Sequence, residues 1–290
     1  MNQRENAAAT LKRSNPSWLP RGELFLARQF LDHCFPGCEG NYVEQLSSAA
    51  SLLGLSVVGV DLNGELPIAL LKEGQYKRLQ KYFTVGYING PVAQAIIRLG
   101  FQQAMTCIKK DKRTLSDMVS VILKDVEEKC RLAGENGLNA IALADDIAGN
   151  NGLLLSPDDL NDIVLPCYIE AAELIKANGL FAFFHSDGDT RAIIESLIGA
   201  GYDCIHPVDN QAGLDLYELK KTFGNRVSFM GHVDIINRDD RQIAQEIKRA
   251  EDTFKEGGLV LGSTCGLSIE TISDRLCALY PQWKGLRQEA

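Results

Sequence analysis

The stretch LFAFFHSDGDTRAIIESLIGAGYDCIHPVD, residues 180–209, decides the fold class. It begins with an apolar run that ends at a histidine and an aspartate, continues as a helical pattern, and closes with a second run of the same kind. Short runs rich in Phe, Ile and Val are typical of strands that are buried on both faces, as in a parallel sheet. The stretch therefore predicts a strand, a helix and a neighbouring parallel strand.

The same unit recurs along most of the chain. Further apolar runs occupy residues 22–27, 55–61, 82–88, 138–146, 227–234 and 259–265, and amphipathic helical patterns lie between them. Strand then helix, repeated about eight times, is the count of a (β/α)8 barrel. A doubly wound open sheet is the alternative, but no glycine-rich nucleotide-binding motif follows any run. We predict an α/β protein with one TIM-type barrel domain at residues 18–290, preceded by a flexible N-terminal tail at residues 1–17.

Composition excludes several function classes. The 290 residues include 30 Lys and Arg against 38 Asp and Glu, a formal net charge of −8. Nucleic acid and anionic membranes repel such a chain. No apolar run is long enough to cross a bilayer, and the polar N-terminus does not resemble a signal peptide. The eight cysteines include no C-x-x-C pair. We therefore expect a cytoplasmic protein with reduced thiols that binds neither nucleic acid nor membrane.

The candidate site lies at the ends of the predicted strands, because the carboxyl ends of barrel strands build the active site. Three of the four histidines end three successive runs. We predict that Asp61, Asp146 and His206 position substrate or handle a proton, and that Asn89, His232 and Asp234 bind substrate. Turn capping by Asp234 and packing of the two histidines stay open as alternatives. Asp145 and Asp146 are adjacent, so only one of them faces the site, and we favour Asp146.

A metal site is the sharpest hypothesis from the strand ends. His185 and Asp187 are two residues apart and point to the same side of an extended chain. Cys265 ends the last apolar run. An imidazole, a carboxylate and a thiolate would form a three-ligand face with an open position, as in catalytic zinc sites, and sulfur favours zinc over magnesium or calcium. The alternative is a hydrogen-bonded histidine beside a loop aspartate, with a packed cysteine elsewhere.

Residues 88–280 resemble the uroporphyrinogen decarboxylase superfamily. The similar phrases are INGPVAQAIIRLGFQQAMTCIKKD, ALADDIAGNNGLLLSP, FFHSDGDTRAIIESLIGAGYDCIHPVD, FGNRVSFMGHVD and GGLVLGSTCGLS. The resemblance implies a TIM-type barrel. Decarboxylases of this superfamily have an arginine-rich N-terminal phrase that binds tetrapyrrole carboxylates. The corresponding text here, NPSWLPRGELF, contains Arg21 alone, and one cation is few for a substrate with many carboxylates.

The chain is more similar to the cobalamin-dependent methyltransferase branch. That resemblance implies a zinc ion held by His185 and Cys265, with Asp187 where a further cysteine is expected. It also implies a partner corrinoid protein that supplies methylcobalamin. We predict a zinc-dependent methyltransferase that moves a methyl group between that partner and a methyl ether, thiol or amine, with a homodimer as the expected assembly if the chain self-associates. A decarboxylase of porphyrin biosynthesis and a non-catalytic barrel that binds a small ligand or corrinoid protein are the alternatives.

Overall fold

Eight parallel strands form the centre of the fold in a computed structural model, which describes residues 1–35, 41–264, 266–272 and 275–283. In chain order the strands are β1 (Gly22–Glu23), β2 (Val57–Asp61), β3 (Phe83–Asn89), β4 (Ala140–Ala144), β5 (Ala148–Gly149), β6 (Gly152–Leu153), β7 (Phe181–His185), β8 (Cys204–His206), β9 (Ser228–Val233) and β10 (Leu259–Ser263). β5 and β6 form a separate antiparallel ribbon.

The spatial order of the eight-stranded sheet is β1-β2-β3-β4-β7-β8-β9-β10. A parallel bridge between Arg21 and Leu261 brings the first strand beside the last, so that the sheet nearly closes. All strands run in the same direction, and their carboxyl ends therefore meet at one mouth. The predicted single-domain (β/α)8 barrel is confirmed.

Helices surround the sheet. They are α1 (Gln3–Leu11), α2 (Arg28–Cys34), α3 (Tyr42–Leu53), α4 (Glu65–Lys72), α5 (Pro91–Leu99), α6 (Phe101–Lys110), α7 (Lys112–Glu135), α8 (Pro157–Asp159), α9 (Leu165–Ala177), α10 (Arg191–Ala200), α11 (Leu216–Phe223), α12 (Asp240–Thr253) and α13 (Leu276–Leu279). Within the described ranges, no helix is both long and apolar enough to cross a membrane.

Two apolar clusters stabilise the barrel, because alternate strand residues point to opposite faces of the sheet. The inner cluster fills the barrel and includes Leu24, Val85 and Met230. The larger outer cluster lies between the sheet and the helices. Polar side chains, among them His185 and His206, occupy several of the strand ends at the mouth.

Residues 1–17 are not the flexible tail that the sequence predicts. A capping box between Asn2 and Glu5 begins α1, with hydrogen bonds of 3.0 and 2.8 Å in the two directions. Ala7 and Leu11 are buried in the inner cluster beside the first residues of β2 and β3. α1 therefore covers the N-terminal end of the barrel. The segment is polar overall, so composition did not indicate that one face of the helix is apolar.

Candidate metal and substrate site

Asp146, His185 and Asp187 form a cluster at the mouth. One ligand atom from each lies within 4.8 Å of the others. His185 is the last residue of β7, and Asp146 follows β4, the neighbouring strand. The Nε2 atom of His185 is 3.5 Å from Asp146 Oδ1, and the backbone N–H of Asp187 donates to the same oxygen at 3.0 Å. The cluster offers one imidazole nitrogen and two carboxylates.

The neighbouring Asp145 has a structural role. Its carboxylate accepts hydrogen bonds from the backbone N–H groups of Val92 and Ala93 at 3.1 and 2.5 Å, at the start of α5. The Tyr168 hydroxyl donates to it at 2.7 Å. Burial raises the pKa of Asp145 to about 6, against the lowering effect of these hydrogen bonds. The structure thus brings Asp146, and not Asp145, to the mouth.

The donor set of the cluster fits a cation. Oδ1 of Asp187 is buried and has no hydrogen-bond partner among the described residues. Burial raises the pKa of Asp187, whereas the hydrogen bond with His185 lowers the pKa of Asp146. A bound cation would pair the orphaned oxygen and stabilise both carboxylates as anions.

Cys265 lies outside the described residues, so its part in the metal site stays a prediction. The strand before it, β10, ends at Ser263, whose N–H and hydroxyl both donate to Glu23 at 2.8 Å. Burial raises the pKa of Glu23 to about 7. In the strand order, β8 and β9 separate β10 from β7.

His206 ends β8 and contacts His185 directly. The two Nδ1 atoms are 2.8 Å apart. His206 is 1% exposed, and its Nε2 has no hydrogen-bond partner among the described residues. Burial, together with the neighbouring His185, keeps the pKa of His206 well below its usual value. His206 is therefore a neutral imidazole with one unused polar atom.

Two aromatic rings that the sequence analysis did not single out form a wall of the mouth. The Phe25 ring packs edge-on against His185, His206 and Tyr87, with centroid distances of 4.6, 5.8 and 4.8 Å. Both rings are partly buried against the inner apolar cluster. Nothing in the sequence distinguishes Phe25 or Tyr87 from the ordinary core residues of their apolar runs.

Asp61 and Asn89 lie at the ends of β2 and β3 and are linked by Asn63. Oδ1 of Asp61 accepts from the N–H and the side-chain amide of Asn63 at 2.8 and 2.9 Å. The N–H of Asn89 donates to Asn63 Oδ1 at 3.0 Å. Asn89 lines a cleft of about 790 Å³ bordered by residues of α4, α5 and α7. Asp61 is close enough to Tyr87 to help burial raise the pKa of that phenol.

Among the described residues, His232 is not part of the cluster of Asp146, His185 and Asp187. Its Nε2 is 2.8 Å from Oε1 of Glu246 in α12, on the outer side of the sheet. Tyr217 and Arg238 also donate to Glu246. Gly231 and His232 have φ angles of +90° and +99°, which interrupt the strand alternation and turn His232 towards the helices.

Asp234 caps the turn after β9. Its Oδ1 accepts from the N–H groups of Ile236 and Asn237 at 3.0 and 2.9 Å. These hydrogen bonds outweigh burial and lower the pKa of Asp234. The structure thus favours turn capping over substrate binding, the two alternatives that the sequence left open.

Orphaned polar atoms concentrate at the ends of β7, β8, β9 and β10. Within the described ranges, the buried side-chain atoms there without a hydrogen-bond partner are Asp187 Oδ1, Thr190 Oγ1, His206 Nε2, Asn210 Oδ1, His232 Nδ1 and Thr264 Oγ1. An unpaired buried polar atom costs about 1–3 kcal/mol. Asp187 Oδ1 and His206 Nε2 belong to this group and lie on residues of the His185 neighbourhood, where an unpaired atom is typical of a place that binds a polar ligand or water.

Comparisons with known proteins agree with this architecture. The chain matches the uroporphyrinogen decarboxylase (URO-D) family over residues 68–281, more than half of its length. No curated protein matches it. A solved methyltransferase from Methanosarcina mazei is 16% identical with a TM-score of 0.74, and the alignment covers 98% of each chain.

Two more distant structures have the same fold. The YdhT protein from Bacillus subtilis is 11% identical, with a TM-score of 0.54 and coverage of 91% of this chain and 88% of that one. A sugar phosphate isomerase/epimerase from Parabacteroides distasonis is 10% identical, with a TM-score of 0.53 and coverage of 92% and 95%. At these identities the structures are evidence of the fold, whereas the sequence match is evidence of ancestry: the chain belongs to the uroporphyrinogen decarboxylase family.

Proposed function

We propose that the protein is a zinc-dependent methyltransferase that moves a methyl group between a small substrate and a corrinoid protein. The cluster of Asp146, His185 and Asp187 at the barrel mouth carries the proposal. The family membership and the fold shared with a methyltransferase support it. The donor chemistry also agrees, because nitrogen and carboxylate oxygen are both zinc ligands.

His185 Nε2 and the carboxylates of Asp146 and Asp187 would hold the zinc ion and leave the fourth position open to the substrate, and the predicted Cys265 thiolate would take the place of one of the carboxylates. When bound, zinc supplies Lewis-acid chemistry at the heteroatom of the substrate, and a carboxylate ligand in place of a thiolate strengthens it, which favours a methyl ether as donor. The lowered pKa of Asp146 keeps this carboxylate ionised at neutral pH. Asp146 is therefore suited to be a ligand or proton acceptor, not a general acid.

The remaining residues of the mouth would bind and orient the substrate. Phe25 and Tyr87 form an apolar wall that excludes water beside His185. Asp61 and His206 are the polar residues that we predict to contact the substrate beside that wall. In the direction from substrate to corrinoid, the methyl group leaves without its bonding electrons, so the heteroatom keeps the pair and takes up a proton. A corrinoid is too bulky for the barrel interior, so its carrier protein would dock over the strand ends.

A tetrapyrrole with many carboxylates fits this mouth poorly. Arg21, the one arginine in the N-terminal phrase, donates to the backbone carbonyl of Leu279 at 2.8 Å and is committed to a structural contact. The carboxylates of Asp146 and Asp187 at the mouth would repel an anionic substrate. We therefore favour methyl transfer over decarboxylation of uroporphyrinogen.

Metal analysis tests the proposal directly. Protein purified from zinc-supplemented medium should contain about one zinc per chain, and His185→Ala should lose it. His33→Ala is the matched control, because His33 is exposed and distant in sequence from the cluster. The loaded protein should also methylate reduced cobalamin from a methoxy compound. Absence of zinc from the original protein, with His185→Ala indistinguishable from it, would refute the metal site.

Binding of a methoxy compound or corrinoid protein without methyl transfer would support the non-catalytic alternative. Turnover of uroporphyrinogen would instead establish the decarboxylase alternative. Both assays use the full chain after loading with zinc.

A further inference from the structure

The contact between His185 and His206 restricts the hydrogens on both rings. A hydrogen bond between two Nδ1 atoms at 2.8 Å needs one hydrogen, so one Nδ1 donates and the other accepts. A neutral imidazole carries a single N–H. The ring that donates through Nδ1 therefore has a bare Nε2, and the ring that accepts through Nδ1 has its hydrogen on Nε2. While both rings are neutral, the two Nε2 atoms are in opposite states.

The same contact decides which atom of His185 can bind a metal. Nδ1 is engaged with His206, whereas Nε2 faces Asp146 at 3.5 Å. Without a cation, a hydrogen on Nε2 is attracted by the Asp146 carboxylate. With a cation, Nε2 must present its lone pair, so the hydrogen of His185 has to be on Nδ1. Cation binding therefore changes the tautomer of His185.

His206 responds to that change at its buried side. Nε2 of His206 has no hydrogen-bond partner among the described residues. The ring is enclosed by Phe25 and by the backbone of Gly231, where an added Cβ would lie 3.5 Å from His206 Cδ2. A buried polar atom without a partner is costly in free energy. A hydrogen bond therefore stabilises it most when a donor meets an acceptor or an acceptor meets a donor.

We infer that His185 and His206 form a tautomer relay in which a cation on His185 Nε2 places a hydrogen on His206 Nε2. The inference rests on the proposed metal site. The hydrogens balance: His185 Nε2 releases one to solvent, the shared hydrogen moves from His206 Nδ1 to His185 Nδ1, and His206 Nε2 takes one up.

Nitrogen NMR of labelled histidines reads the tautomers directly. The chain has only four histidines, so single substitutions assign each ring. At a pH of about 8, one equivalent of zinc should convert His206 from the Nδ1–H to the Nε2–H form. The rings of His33 and His232 should not change. If zinc binds and His206 stays in the Nδ1–H form, the relay is wrong. If no zinc binds, the metal site is wrong as well, so the two failures are distinguishable.

Calorimetric titration with zinc gives a second measurement. His206→Phe removes the acceptor for His185 Nδ1–H and should weaken zinc binding about 10–100-fold, the range typical of residues that orient metal ligands. His206→Gln can accept through its amide oxygen and should recover most of that loss. His33→Gln is the control, with no change expected. Equal zinc affinity in the original protein and folded His206→Phe, or no recovery with folded His206→Gln, would overturn the relay.

Discussion

The sequence His-x-Asp occurs at residues 185–187 and again at 232–234, each time at the end of a parallel barrel strand. In the first copy, His185 and Asp187 lie together at the mouth, and both are close to Asp146. The second copy turns its histidine to Glu246 in the helical layer and uses its aspartate as a turn cap. The backbone differs: His232 has a φ of +99° and follows a glycine at +90°. A position at a strand end is therefore not enough to identify a site residue.

The largest expected difference between the two copies concerns zinc. His185→Ala should weaken zinc binding by more than about 100-fold, because it removes the nitrogen ligand itself. His232→Ala should leave zinc affinity unchanged and lower the free energy of unfolding by about 2 kcal/mol, since Glu246 loses one partner while Tyr217 and Arg238 remain. Zinc titration and urea unfolding of both variants measure this. Loss of zinc from His232→Ala would contradict the assigned roles.

The aspartates of the two copies, Asp187 and Asp234, should also differ in their effect on zinc binding, but by a smaller factor than the histidines. Asp187→Ala should weaken zinc binding by about 10–100-fold, as it removes a carboxylate whose Oδ1 has no other described partner. Asp234→Ala should preserve zinc affinity and lower the unfolding free energy by about 1 kcal/mol through the lost cap. Equal zinc affinities in the two variants would show that Asp187 is not a ligand.

The environment of His232 also predicts a pH dependence of stability. Burial favours the neutral form of Glu246, but hydrogen bonds from His232, Tyr217 and Arg238 outweigh it and lower the pKa from 4.5 to about 2. A carboxyl group with a lowered pKa stabilises the fold above its unfolded pKa and loses that contribution as the pH falls. Unfolding free energy should drop by about 1–2 kcal/mol between pH 4.5 and 2, after allowance for solvent screening.

Glu246→Gln should flatten this acid limb, and Glu251→Gln, an exposed residue on the same helix, should not. Urea unfolding at a series of pH values measures both. An unchanged acid limb in Glu246→Gln would mean that the network around His232 does not contribute to it.

The smallest effect tests the backbone explanation. His232→Gly and His232→Ala remove the same hydrogen bond, but only glycine adopts a φ of +99° without strain. The glycine variant should therefore be more stable than the alanine variant by about 1 kcal/mol. Equal stabilities would indicate that the positive φ at residue 232 carries no strain.

Sequence patterns predicted the barrel well, because strand count and buried apolar runs are local properties. Alternation also predicted that at most one of Asp145 and Asp146 faces the site, and Asp146, the residue we favoured, lies in the cluster at the mouth. Sequence patterns did not predict the Phe25 wall, because the contacts of Phe25 with His185 and His206 join distant parts of the chain. They did not predict the capping role of Asp145 either, because α5, whose first residues it caps, follows a different strand.

The amino-acid sequence by itself determined the order of strands and helices, the acidic charge and the placement of polar residues at strand ends. These follow from periodicity and composition, which need no knowledge of distant contacts. Only the tertiary structure decided which of those residues meet. The His185–His206 pair arises because β7 and β8 are parallel neighbours, and the loss of His232 from the mouth arises from two backbone torsion angles. Both depend on how the closed sheet is packed against its helices.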